Sequence, residues 1–120
     1  MFDVSVSSSF DATHAVTIAG VEEPQHNHKW KVVIVISGNT LDCDEVLVDF
    51  IELQKQLETI ISPLRDSNLN TCHVLNGKNP TAEIVAKYIA TELRDRIESP
   101  LLLSSVTITE APNCTATFKP

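Results

Sequence analysis

The run Val32, Val33, Ile34, Val35 and Ile36, closed by Ser37, Gly38 and Asn39, limits this chain more than any other stretch. A short run rich in Val and Ile ahead of a turn signal reads as a strand. In a strand, residues two apart point to the same side. His26 and His28, just upstream, therefore set two imidazoles side by side near the strand's start. Neutral imidazole is a common zinc ligand, and three protein ligands with an open position make a catalytic zinc site. A His-x-His pair alone does not separate that reading from two ordinary histidines at a strand end.

A third imidazole lies upstream. Phe2, Val4, Val6 and Phe10 alternate with Asp3, Ser5, Ser7 and Ser9, which predicts a strand with one buried face. Phe10, Ala12 and His14 share its parity. Residues 17–25, with Gly20, Glu22, Glu23 and Pro24, read as a loop joining two antiparallel strands. Such a hairpin brings His14 back beside His26 and His28.

Further on, Asp49 is placed to cap a helix. Its apolar stripe is Phe50, Leu53, Leu57, Ile60, Ile61 and Leu64, and Pro63 ends it near Ser62. Residues 65–80 hold no strong period. Thr81 caps a second helix, buried through Ile84, Val85, Tyr88, Ile89, Leu93 and Ile97 and closed by Pro100. Residues 101–108 predict a third strand, residues 110–113 a tight connection, and residues 115–118 a fourth strand. The expected class is α+β: one domain over residues 1–120, a four-stranded antiparallel sheet, and both helices on one face. The other sheet face needs cover, which self-association would supply.

Composition removes several function classes. A net charge of −7 disfavours non-specific nucleic-acid binding and anionic membrane surfaces. Cys43, Cys72 and Cys114 are odd in number and widely spaced, so three reduced thiols in a cytoplasmic protein are expected. Residues 1–5 carry no basic segment or apolar core, so no signal peptide is expected, and no apolar stretch is long enough to span a bilayer.

The order Phe10-x-Ala12-x-His14, His26-x-His28, Val48-Asp49-Phe50, Leu69-Asn70, Pro80-Thr81-Ala82-Glu83 and Thr109-Glu110 resembles the 6-pyruvoyl-tetrahydropterin synthase and 6-carboxy-tetrahydropterin synthase family along nearly the whole chain. The resemblance implies the T-fold: sheets joined into a trimeric barrel, two trimers stacked into a homohexamer, and active sites at subunit interfaces. It implies Zn²⁺ held by His14, His26 and His28, with Asn27 where the family usually has Gly. It implies that Glu110 anchors a small-molecule pterin, whose 2-amino group and N3–H form a two-donor edge that one carboxylate can accept. Thr81 would help line the pocket.

The sequence departs from the family twice. The usual catalytic Cys before His-x-His is absent. A subset of the family carries Glu there and cleaves the side chain of dihydroneopterin triphosphate to 6-hydroxymethyl-dihydropterin. Glu23 best fits that position, with Glu22 the alternative. The usual Asp-His before Leu-Asn is also missing. Asp66 keeps the acid, Ser67 replaces the His, and Cys72-His73 follows the motif, either as a relocated acid/base pair or as a surface loop. The implied protein is a zinc-dependent lyase on a pterin. The alternative is a pterin- or purine-binding paralogue with altered or lost activity that retains the metal site.

Overall fold

The run at 32–36 lies at the middle of the sheet. A computed structural model describes residues 1–120. Its strands are β1 (Phe2–His14), β2 (Thr17–Ile18), β3 (Val21–Glu22), β4 (His26–Gly38), β5 (Ser67–Asn68), β6 (Leu102–Ala111) and β7 (Cys114–Phe118). Two helices, α1 (Phe50–Ile61) and α2 (Ala82–Arg94), and a 3₁₀ turn at His73–Leu75 complete the chain. The main sheet runs β5-β1-β4-β6-β7. Even-numbered residues of β1 and β4, and Val106 and Ile108 of β6, face the helices; a register shift at Val35–Ile36 then turns Leu103 rather than Leu102 into the core. Phe10, Trp30, Val32, Ile34, Ile36, Val106 and Ile108 are buried there against Leu53, Leu57, Ile61, Val85, Ile89 and Leu93. Phe10 and Trp30 stack with centroids 6.0 Å apart, and the Trp30 indole N–H donates to the Ala12 carbonyl. The opposite face carries Ser5, Ser7, Lys29, Lys31 and Thr107 with half-buried Val33 and Val35, and no element of the chain covers it.

The sheet differs from expectation in having five strands, not four. The fifth, β5, is two residues long and parallel to β1, pairing Ala12 with Ser67 and Thr13 with Asn68. Two residues carry no periodic signal, so nothing in the sequence marks them. The presumed loop at 17–25 contains a second departure: β2 and β3 form a small ribbon turned at Ala19 and Gly20, both at positive φ. Glycine next to a left-handed residue suits the tight hairpin turn.

Both helices start where their caps predict. Asp49 accepts from the backbone N–H of Ile51 and Glu52, and Thr81 accepts from Ile84. Phe50 does not join the stripe of α1 and is about half exposed. α2 stops at Arg94 rather than near Pro100. Arg96 and Ile97 donate to Leu93 and Arg94, a tighter winding that keeps Ile97 packed on the core. Across the helix pair, the Tyr88 hydroxyl donates to the Ile60 carbonyl at 3.0 Å. That carbonyl lies in the last turn of α1, where no helical partner exists. Burial pushes the Tyr88 pKa up from 10 to about 12. All three cysteines are free thiols, and no helix is long and apolar enough to cross a membrane.

Candidate metal centre

The β1–β4 ladder brings the three imidazoles together. Its last rungs pair Ala12 with His28 and His14 with His26. All four residues have the parity of the core face, so the three rings cluster over Trp30. The His14 ring stands edge-on to it at 4.8 Å and is fully buried. One ligand atom from each of His14, His26 and His28 lies within 4.8 Å of the others.

The hydrogen bonds fix the tautomers. His14 Nδ1 lies 2.8 Å from the Pro80 carbonyl, and His26 Nδ1 lies 3.0 Å from the Pro24 carbonyl. A carbonyl only accepts, so both Nδ1 atoms carry the proton. Both Nε2 atoms are then left with lone pairs, and they face each other at 3.0 Å. Glu110 Oε1 adds a third acceptor 2.9 Å from His14 Nε2. Acceptors in such contact repel unless a proton or a cation lies among them. Nitrogen ligands at about 2.0–2.1 Å around a tetrahedral zinc lie roughly 3.3 Å apart, close to the 3.0 Å between the Nε2 atoms of His14 and His26. Three imidazoles, two of them oriented by outer carbonyls, fit Zn²⁺. Burial, then the neighbouring His26, lowers the His28 pKa below 6.5, while Glu110 pulls the other way. His28 is therefore a neutral donor at neutral pH.

The segment leaving His14 is clamped on both edges. The Asn70 side chain accepts from Ala15 N–H and donates to the Ala15 carbonyl, both at 2.8 Å. The Asn79 side chain does the same for Thr17 at 2.9 and 2.8 Å. Between them Val16 turns the other way. Its carbonyl accepts from Glu23 N–H, and its N–H donates to Glu23 Oε1, each at 3.0 Å. Two amide side chains thus stand in for a neighbouring strand, and the held segment fixes the Glu23 carboxylate 3.7 Å from His26 Nε2.

A cavity of about 260 Å³ opens beside the imidazoles, lined by Ile18, Glu23, His26, Thr81, Glu83 and Glu110 among others. Glu110 was expected in a tight connection and instead lies on β6. Thr109 pairs with Thr115 and Ala111 with Cys114, so Glu110 is the extra residue of a bulge. A bulge re-aims a side chain, and this one points at His14. Glu22 pairs with Thr17 on the exposed ribbon and makes no contact with the imidazoles. Asp66 is not brought to them either. It turns at φ 56°, its side chain is exposed, and its N–H donates to the Asp11 carbonyl. That level is three residues, roughly 10 Å, along the strand from His14. The Cys72 thiol donates to the Pro63 carbonyl rather than to His73, which is exposed. Glu83, Asn70 and Asn79 were not singled out as site residues in the sequence. An acid in the first turn of a helix ordinarily reads as a complement to the helix dipole, and nothing local marks an asparagine as a strand mimic.

The family model described as 6-pyruvoyl tetrahydropterin synthase matches residues 3–120. No curated protein matches the sequence. Among solved structures, 6-pyruvoyl tetrahydropterin synthase of Caenorhabditis elegans superposes with TM-score 0.86 at 20% identity, covering 99% of this chain and 95% of that one. The Plasmodium vivax enzyme of the same name gives 0.79 at 18% identity, covering 99% and 97%. Solved variants of the P. vivax enzyme replace a glutamate described as a catalytic residue with alanine or cysteine.

Proposed function

This chain belongs to the 6-pyruvoyl tetrahydropterin synthase family, and from that premise we propose that it is a zinc-dependent lyase acting on dihydroneopterin triphosphate or a close relative. The product proposed is 6-hydroxymethyl-dihydropterin, with Glu23 in the place of the usual cysteine. The observation that carries this reading is the Glu23 carboxylate, tied to Val16 N–H and 3.7 Å from His26 Nε2. A catalytic glutamate in the P. vivax enzyme is consistent with it.

His14, His26 and His28 would hold Zn²⁺, which when bound supplies Lewis-acid polarisation of the substrate's side-chain oxygens. Glu110 accepts the 2-amino and N3–H donors of the ring, and Thr81 and Glu83 wall the same cavity. Glu23 takes the proton of the side chain's 2′ hydroxyl. The oxygen's electron pair closes to a carbonyl, the C1′–C2′ bond breaks, and the carbon left on the ring is reprotonated. Sheets joined into a barrel would cover the polar face left open in one chain, with a homohexamer as the full assembly.

The test incubates zinc-loaded protein with dihydroneopterin triphosphate and separates the pterins. The expected result is 6-hydroxymethyl-dihydropterin, lost in Glu23→Ala and retained in Glu22→Ala. Product no higher than in the Glu23→Ala control overturns the reading. One observation favours a second reading, a pterin-binding paralogue without turnover: neither Asp66 nor His73 reaches the imidazoles within the chain. Calorimetric binding of a pterin that is lost in Glu110→Ala, with no product formed, would select it.

A further inference from the structure

Glu110 serves two partners that it cannot hold at once. The proposed function gives it the donor edge of a pterin ring, yet its Oε1 lies 2.9 Å from His14 Nε2. His14 has committed Nδ1–H to Pro80, so this contact sets a carboxylate oxygen against a nitrogen lone pair. His26 Nε2 crowds the same point from 3.0 Å. One proton can be donated to one of these acceptors. A divalent cation attracts all of them.

We propose that Glu110 is a movable fourth ligand: it closes the His14, His26 and His28 metal site at rest and opens it when a pterin ring takes the carboxylate. The proposal rests on the zinc-site reading above. Three observations point to Glu110 rather than to Glu23, the other acid nearby. Glu23 Oε1 already accepts from Val16 N–H and stands farther off, at 3.7 Å from the nearest imidazole nitrogen. Glu110 has no lysine, arginine or backbone donor, and its one polar side-chain contact is His14. The bulge at Thr109–Ala111 leaves it outside the regular ladder, with its side chain 27% exposed and bordering the cavity shared with Thr81 and Glu83. It therefore has room to swing from the imidazoles into the ring slot.

The consequence is ordered binding. With Glu110 in place the site has no vacant position for water, and the position appears only when a ring has docked. This couples the open coordination that a catalytic zinc needs to the presence of substrate.

The experiment uses full-length protein loaded with Co²⁺, whose visible absorption reports coordination, together with Zn²⁺ competition against a chelator. Glu110→Gln keeps the side-chain shape and removes the charge. It should weaken Zn²⁺ binding by on the order of ten- to a hundredfold and change the Co²⁺ spectrum. Unsubstituted pterin, the bare ring, has no side-chain oxygens to reach the metal. Adding it should move the wild-type spectrum toward that of Glu110→Gln and leave the variant's spectrum unchanged. Glu110→Asp, charged but shorter, should also lose the wild-type spectrum, which separates reach from charge. Identical affinity and spectra for wild type and Glu110→Gln, with no response to pterin, overturn the proposal while the three-histidine site stands. Failure of the wild type to take up Co²⁺ or Zn²⁺ overturns both.

Discussion

Asn70 and Asn79 make the same pair of hydrogen bonds, and burial predicts very different costs for removing them. Asn70→Ala strips both partners from Ala15, which is 1% exposed. A buried N–H and a buried carbonyl would each lose a partner at about 1–3 kcal/mol, so the expected loss of stability is about 2–6 kcal/mol. Asn79 and Thr17 are both exposed. Water replaces the lost partners there, so Asn79→Ala should cost no more than about 1 kcal/mol. Urea unfolding at one fixed protein concentration reads the difference. With a slope of roughly 2 kcal/mol per molar, Asn70→Ala should lower the midpoint by on the order of 1–3 M, and Asn79→Ala by a few tenths. Amide exchange then separates local from global effects. In Asn79→Ala the Val16 N–H should exchange faster while core amides such as Ile89 keep their protection. Equal midpoints for the two variants, or a fully protected Val16 in Asn79→Ala, would refute the claim that these side chains hold the segment carrying Glu23.

Tyr88→Phe should cost about 1 kcal/mol at neutral pH, because the Ile60 carbonyl loses its donor. The folded-state pKa of Tyr88, about 12, lies above the unfolded 10. Its stabilisation is complete below pH 10 and fades as pH rises toward 12. Wild type should lose about 1–2 kcal/mol across that window, after allowing for partial exposure. Tyr88→Phe should lose none of it; equal alkaline slopes in chemical denaturation would contradict this. His28 has the opposite sign, since its folded pKa is below 6.5. Above pH 6.5 it contributes nothing. As pH falls below that value the unfolded chain takes up the proton first, so zinc-free protein should lose stability on acidification, and His28→Asn should flatten that limb of the urea midpoint against pH. Zinc affinity, followed by chelator competition, should fall over the same range because proton and ion compete for the imidazoles.

The convergence of the three imidazoles was legible because it rests on two strong periodic signals. Alternation in β1 and the β-branched run of β4 set parity, and parity set which way His14, His26 and His28 point. The caps at Asp49 and Thr81 were legible for the same reason: each is a local rule acting over three residues. What the sequence hid depends on contacts between distant segments. The parallel pairing of Ser67 and Asn68 with β1, the clamps of Asn70 and Asn79, and the stacking of residues 15–17 against Glu23 all join positions that carry no shared pattern. The aim of Glu110 was hidden differently. One extra residue at a bulge decides it, and Glu-Ala-Pro-Asn reads as a turn until the pairing on both sides is known.

The rung joining His14 to His26 has a practical corollary for altering the protein. A strand shifted by a single position sends every side chain to its other face. Inserting one residue within 29–36 would therefore carry His26 and His28 across the sheet to the side of Lys29 and Lys31, and the three-imidazole cluster would lose two of its members. The same insertion at the Ala19–Gly20 tip would only lengthen a hairpin whose ends are pinned elsewhere. Graft sites and length variation belong at that tip, while the spacing from His28 to Ile36 is fixed by arithmetic.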